Sequence, residues 1–407
     1  MRLKTVIRKK EIILCLIVTL LLLQSPLELL FSIFSYIDEI FALLGITAFF
    51  LHFLRREKLV LSRSDGVLLL LLSVFAASGL LGNLLWNDQN PVSVWVDLYT
   101  NLKFFLAVLS GIAIVRCCRE EMGILLPWAQ TAAVFIFFLL IFDLIFQCFP
   151  TQGIRYGIRC IQLFWRHPTY LAGSMVFLLS ILTAFYQKRS ILPIVMCLLV
   201  LFLTVRGKAM AGCAAYCLIF WVVLLRKKPL GLRHLLLIAL IALAVAGEQF
   251  RYYYVELAGK SARSVLTQTA LKIAEDYAPI GTGFATFGSS EAAKQYSQVY
   301  VQYGFRQIPE LSGMGKNYLS DTFWPILLGQ CGYLGTAAYV LSLLILFCRM
   351  KAVYALDRRA YAAGMFLWGY LLISSTSEPT FHNSIAIPLA MVLGYILTIP
   401  DAPKKEW

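Results

Sequence analysis

Charge is what this sequence has little of. Charged residues make up 14% of its 407 positions and hydrophobic residues 60%, whereas a soluble domain carries about 25% charged residues. The shortage excludes the row of soluble domains that length alone would allow. Histidine is scarce as well, at four residues, and His167 and His382 stand far apart without nearby cysteines or paired acids, so no metal ligand set is expected. No Asp-x-Asp pair on the cytoplasmic side could hold the metal of a sugar nucleotide. The ten cysteines include no Cys-x-x-Cys. Cys15, Cys117, Cys118, Cys197, Cys213, Cys217, Cys331 and Cys348 fall in apolar runs or beside basic clusters, and Cys160 alone is expected to face outward, so no disulfide framework is expected.

What the chain does have is apolar runs of about 16 to 24 residues, each long enough to cross the hydrocarbon core of a bilayer. They predict an all-α polytopic membrane protein with about twelve transmembrane helices: 12–30, 37–54, 65–86, 98–115, 124–148, 169–186, 190–205, 209–225, 234–250, 322–347, 361–376 and 384–399. The basic start lacks a small-x-small cleavage site, which reads as a retained first span. The net charge of +14 lies in short clusters between the runs, a pattern of topology that excludes a nucleic-acid partner. With the N-terminus inside, cytoplasmic segments hold 23 of the 36 basic residues, so both termini are expected in the cytoplasm.

Residues 1–250 thus form spans one to nine, 251–321 an extracytoplasmic loop, and 322–407 the last three spans with a cytoplasmic tail. A loop of this length is commonly functional. Leu266, Ala270, Ile273, Ala274 and Tyr277 recur at helical spacing, which predicts an amphipathic helix from Arg263 to Tyr277 on the outer surface. PIGTGFATFG follows no strand, so it fails the context of a nucleotide-binding loop and reads as a turn back to the membrane.

Several ionisable residues stand at the expected outer boundary, where charge must snorkel, pair or serve a site. These are Arg166 and His167 in FWRHPTYLAGS, Arg206 and Lys208 in LTVRGKAMAG, Arg263, and Asp321 in LSDTFWP. Arg206 interrupts a run from Ile191 to Leu225, as a snorkelling turn residue or an anion ligand. Arg263 is a cation in a helix's first turn, where the macrodipole disfavours it; it is either a solvated face residue or held by something else. Asp143, near the outer end of span five, is a functional candidate or a bond to a neighbouring helix.

In order, HPTYLAGSMVF, LTVRGKAMAG, the Arg263-led helix into DYAPIGTGFATFGS, YSQVYVQYG and LSDTFWPILLGQCGYLGTAAYV resemble the O-antigen ligase and polymerase superfamily, especially its Wzy-type repeat-unit polymerases. The specific part covers about residues 164–345. The resemblance implies a metal-independent glycosyltransferase of the bacterial cytoplasmic membrane, without cofactor, acting on undecaprenyl-diphosphate-linked oligosaccharides. A chain-length regulator and a flippase are the partners it implies. It matches the family's two arginines to Arg206 and Arg263. Ligases carry a histidine near the end of the loop; here Asp321 stands there, which favours polymerisation over transfer to another acceptor.

The residue types suit that chemistry. Arg206, Arg263, Lys208 and Arg166 could bind a diphosphate, because guanidinium forks match phosphate and keep their charge. Asp321 is the carboxylate that could orient or deprotonate an acceptor hydroxyl. Tyr296, Tyr300, Tyr303, Trp324 and His167 could contact sugars, with ordinary packing as the alternative for the tyrosines. A transporter would instead show related halves with charges at mid-membrane, and no such repeat is visible.

Overall fold

A computed structural model of the protein describes residues 9–54, 63–86, 89–251, 261–313 and 318–400. The basic clusters at 2–8 and 55–58, and Lys404 and Lys405, lie outside them. Helices stand at each of the expected runs: α1 (Lys9–Leu30), α2 (Ile37–Leu54), α3 (Arg63–Trp86), α4 (Pro91–Cys118), α5 (Leu125–Phe146), α6 (Pro168–Ala184), α7 (Ile191–Leu203), α8 (Gly207–Ile219) and α9 (Leu232–Phe250). The 251–321 segment holds α10 (Ala262–Asp276), α11 (Ser290–Gln295) and α12 (Gln298–Gln302), and α13 (Trp324–Leu356), α14 (Arg358–Ser375) and α15 (Ala386–Leu397) follow.

Among the described residues six helical stretches are long and apolar enough to cross a membrane: Lys9–Leu30, Arg63–Trp86, Pro91–Cys118, Glu121–Phe146, Gly207–Leu225 and Trp324–Leu356. The chain is a helical membrane protein in this sense. On α5 the buried residues Ala129, Ala133, Ile136 and Leu140 recur at helical spacing, while Phe135, Phe138, Phe142 and Ile145 are exposed; such an apolar exterior suits lipid. The bundle is built by pairing α2 and α15 on α4, α3 on α13, α6 and α8 on α14, and α9 on α8. Where α4 meets α15, a Cβ on Gly111 would strike the Met391 carbonyl, and one on Gly394 that of Val108. Lipid removes the hydrophobic drive between helices, so small residues that let backbones approach supply the packing.

The glycine-rich stretch after α10 is more than a turn. Gly281 to Ser289 are all buried, between α3, α4 and α13. Gly332, at φ 59°, interrupts the helical ladder of α13, and the carbonyls of Gly329 and Gln330 accept from the amides of Thr282 (3.0 Å) and Gly283 (2.8 Å). Asn83 clasps Phe284, its Oδ1 accepting from the Phe284 amide at 2.8 Å and its Nδ2 donating to the carbonyl at 2.9 Å. Asp97 accepts from the Ala285 amide at 2.6 Å and from Gln330 Nε2 at 2.7 Å. Irregular backbone can lie inside a helical membrane bundle only when its polar groups are satisfied in this way.

The amphipathic helix expected from Arg263 is α10, and its apolar face is turned into the protein. Leu266, Ala270 and Ile273 join Phe287, Val299, Tyr300, Phe305, Leu311 and Leu319 in a separate small core, and α10 packs along α13. One element has no counterpart in the sequence reading. Residues 151–155 and 158–161 form an antiparallel hairpin, β1–β2, turning through Tyr156 and Gly157, both at positive φ, the geometry of a two-residue hairpin turn. Cys160 lies on β2 and is fully buried, because the hairpin folds its last residues onto α7.

Candidate functional site

The break at Arg206 is built by backbone strain. Val205 sits at φ 49°, a region β-branched residues rarely enter, which costs on the order of 1–3 kcal/mol. Val205 is buried, so packing enforces the turn, and Arg206 becomes the extended N-cap of α8 without a side-chain capping bond. Its Nη2 lies 3.1 Å from His167 Nε2, while its Nε is buried without a hydrogen-bond partner among the described residues. Burial and the nearby Arg155 push the Arg206 guanidinium below its ordinary value, opposed by Glu378; it remains a cation.

His167 is the N-cap of α6, its Nδ1 accepting from the Thr169 amide at 3.1 Å. Each ring nitrogen therefore faces a donor, Thr169 N–H at one and the Arg206 guanidinium at the other. A neutral imidazole has one acceptor nitrogen, so only one of the two contacts is a hydrogen bond at a time. Burial first, then the charges of Arg206, Lys208 and Arg155, push the imidazole down to about 4, which keeps it neutral.

In the first turn of α8, Lys208 forms an ion pair with Glu378, from the turn after α14. Arg263, in the first turn of α10, pairs with Asp321, its Nε at 2.9 Å and Nη2 at 2.7 Å from the same Oδ2. Asp321 thus offsets the unfavourable macrodipole position of Arg263. It does not cap the next helix, whose N-cap is Phe323 with no side-chain bond. Burial raises the Asp321 carboxyl above its ordinary value, against the lowering effect of Arg263; the charges of Glu378 and Lys208 also reach it. The two pairs form one electrostatic unit.

Lys208 and Arg263 line a cavity of about 610 Å³ between α8, α9, α13 and α14. The rest of the wall is largely apolar, including Ala211, Ile238, Leu243, Phe347, Trp368 and Leu372. An apolar chamber with two cations at its wall suits an amphiphile with a long hydrocarbon tail and an anionic head.

The other predicted residues are placed differently. Arg166 is mostly exposed and pairs with Glu28 of α1 at 3.1 Å, so the structure does not bring it to the cavity. Tyr300 is fully buried, stacks on Phe305 and accepts from the Gly288 amide at 2.8 Å; its ring is committed to the loop core and cannot stack on a sugar. Tyr296 donates to the Leu311 carbonyl at 3.1 Å, and Tyr303 to Asp276 at 2.6 Å. Trp324 opens α13 and donates to Ser375 Oγ at 3.2 Å. Asp143 pairs with Arg159 of the hairpin at 2.8 Å and accepts from the Phe149 amide at 3.0 Å, so these bonds run to the hairpin and the link after α5 and not to a neighbouring helix.

Two residues escaped the sequence reading. Glu378 could have been found by the argument that singled out Asp321, an acid beside a span end. Arg155 needed the hairpin, whose signal is the paired Ile-Arg of IRYGIR around a Tyr-Gly turn.

No protein-family model matches the chain, and no curated protein is detectably similar to it.

Proposed function

We propose that the protein is a membrane glycosyltransferase that polymerises undecaprenyl-diphosphate-linked oligosaccharide repeats into a surface polysaccharide. In this reading the chain crosses the bacterial cytoplasmic membrane twelve times, with both termini in the cytoplasm and residues 251–321 outside. The observation that carries it is the apolar cavity of about 610 Å³ with Lys208 and Arg263 on its wall. A polyprenyl tail suits the apolar wall, and the diphosphate suits the cations. Arg206 lies beside that head group, its charge reaching Lys208.

The step is attack of a sugar hydroxyl of one lipid-linked oligosaccharide on the anomeric carbon of another. The new C–O bond forms as the bond to the diphosphate oxygen breaks, the electron pair leaves with the diphosphate, and the hydroxyl proton passes to Asp321. Charge developing on the leaving group is stabilised by preorganised cations, the kind of interaction that dominates many enzymatic rate enhancements. Here the positive charge comes from side chains. Asp321, in place of a loop histidine, favours polymerisation over ligation.

A photoactivatable polyprenyl diphosphate tests the assignment of the cavity. Crosslinks are expected on α8, α9 and α14, around Ile238 and Leu372, and substituting Ala242→Trp to fill the chamber should abolish them. Crosslinks confined to α1 through α5 would contradict the reading.

A further inference from the structure

Each cation on the cavity wall already has a carboxylate. Lys208 is held by Glu378, with side-chain exposures of 8% and 19%, and Arg263 by Asp321, at 23% and 37%. The four side chains come from four separate places: α8, the turn after α14, the start of α10, and the approach to α13. A buried lysine without a partner would be strongly unfavourable, so Lys208 needs an acid whenever no other anion pairs with it. An anionic head group binding there has to take the cations from these acids.

Resting on the reading above, we infer that Glu378 and Asp321 are resident counter-ions, which an arriving lipid diphosphate displaces. The exchange is nearly balanced in charge. Two carboxylates leave and a group carrying about two negative charges arrives, so the buried cations are never left unpaired. Glu378 can make the move by its side chain alone: its amide donates to the Ser374 carbonyl at 3.1 Å and its carbonyl accepts from Thr380 at 2.7 Å, and the preceding Thr376 and Ser377 belong to the cavity wall.

The exchange has two consequences. Asp321 is freed to meet an acceptor hydroxyl only once a donor occupies Arg263, which ties the base to the presence of substrate. After transfer, the acids compete with the leaving diphosphate for Lys208 and Arg263 and help to expel it. Glu378 is therefore a positioning residue that governs donor affinity and product release.

Binding of undecaprenyl diphosphate to the purified full-length protein, measured without an acceptor, tests this. Glu378→Gln and Asp321→Asn should each bind about tenfold more tightly than wild type, the scale of one partly buried charge pair, and Glu378→Asp should stay near wild type. In steady state, Glu378→Gln should show stronger inhibition by added undecaprenyl diphosphate. Unchanged or weaker binding in folded Glu378→Gln and Asp321→Asn would overturn the exchange while leaving the diphosphate site intact. Failure of the wild type itself to bind undecaprenyl diphosphate would overturn the exchange together with the functional reading.

Discussion

Arg263 holds Asp321 with two nitrogens on one oxygen, Nε at 2.9 Å and Nη2 at 2.7 Å from Oδ2, across 58 positions of sequence. The pair ties the first turn of the loop helix α10 to the residue three places before α13. A forked contact of this kind needs a planar guanidinium, which a lysine point charge cannot copy. Arg263→Lys should therefore remain poorly active despite its charge. Arg206→Ala and Arg263→Ala should each leave roughly 1% of the polymerising activity, the loss of about 2–4 kcal/mol seen when one preorganised donor is removed. Near-normal polymer from properly inserted variants would refute the arginine roles.

Asp321→Asn separates chemistry from capping. Because Phe323 is the N-cap of α13, the substitution removes no cap, and Asn would cap about as well in any case. Turnover with lipid-linked repeats should fall about 100-fold or more, in the range of general acid–base groups, while the melting midpoint in detergent moves little. Retained turnover would return Asp321 to a purely structural partner of Arg263.

The helices were readable because each apolar run must close its own backbone hydrogen bonds, and α2, predicted to begin at residue 37, begins at Ile37 in the structure. Long-range docking was not. Nothing local in PIGTGFATFG announces that Asn83 and Asp97, 201 and 188 positions earlier than the residues they hold, will bind its backbone. Arg206, Lys208, Arg263, His167 and Asp321 do gather, because boundary charges are few and must find partners. Tyr300 failed as a sugar contact because an aromatic ring fills a small core as readily as it stacks on a ligand. Sequence spacing carries no sign of which of the two it does.

His167 gives a pH test. Its pKa of about 4 lies below the ordinary value near 6.5, so the unfolded chain binds more protons between those limits. The contribution to stability is complete above about pH 6.5 and declines as pH falls toward 4. The His167 resonance, identified by its loss in His167→Asn, should titrate near 4, and Arg206→Gln should raise its midpoint. A midpoint near 6.5 in the wild type would contradict the buried contact with Arg206.

The α4–α15 crossing gives a packing test. Gly394→Val would drive a side chain into the Val108 carbonyl and the Ile112 amide, and neither backbone group can move aside cheaply. A loss of about 1–3 kcal/mol or more is expected, read as a lower midpoint in detergent. Gly123→Ala, where a Cβ meets nothing within 4 Å, should change the midpoint little.

Topology is tested by cysteine labelling after the exposed Cys117, Cys148, Cys217 and Cys348 are replaced by serine. Gln302→Cys on α12 should react with an impermeant reagent in intact cells, and Lys351→Cys at the far end of α13 should not. The opposite pattern would reverse the orientation.

The most direct measurement is product analysis from purified protein and one lipid-linked repeat unit in EDTA. A ladder of lipid-linked polymers, with one undecaprenyl diphosphate released for each bond formed, is the predicted result. Substrate that remains as single repeats, although the protein is folded and binds undecaprenyl diphosphate, would contradict the polymerase account.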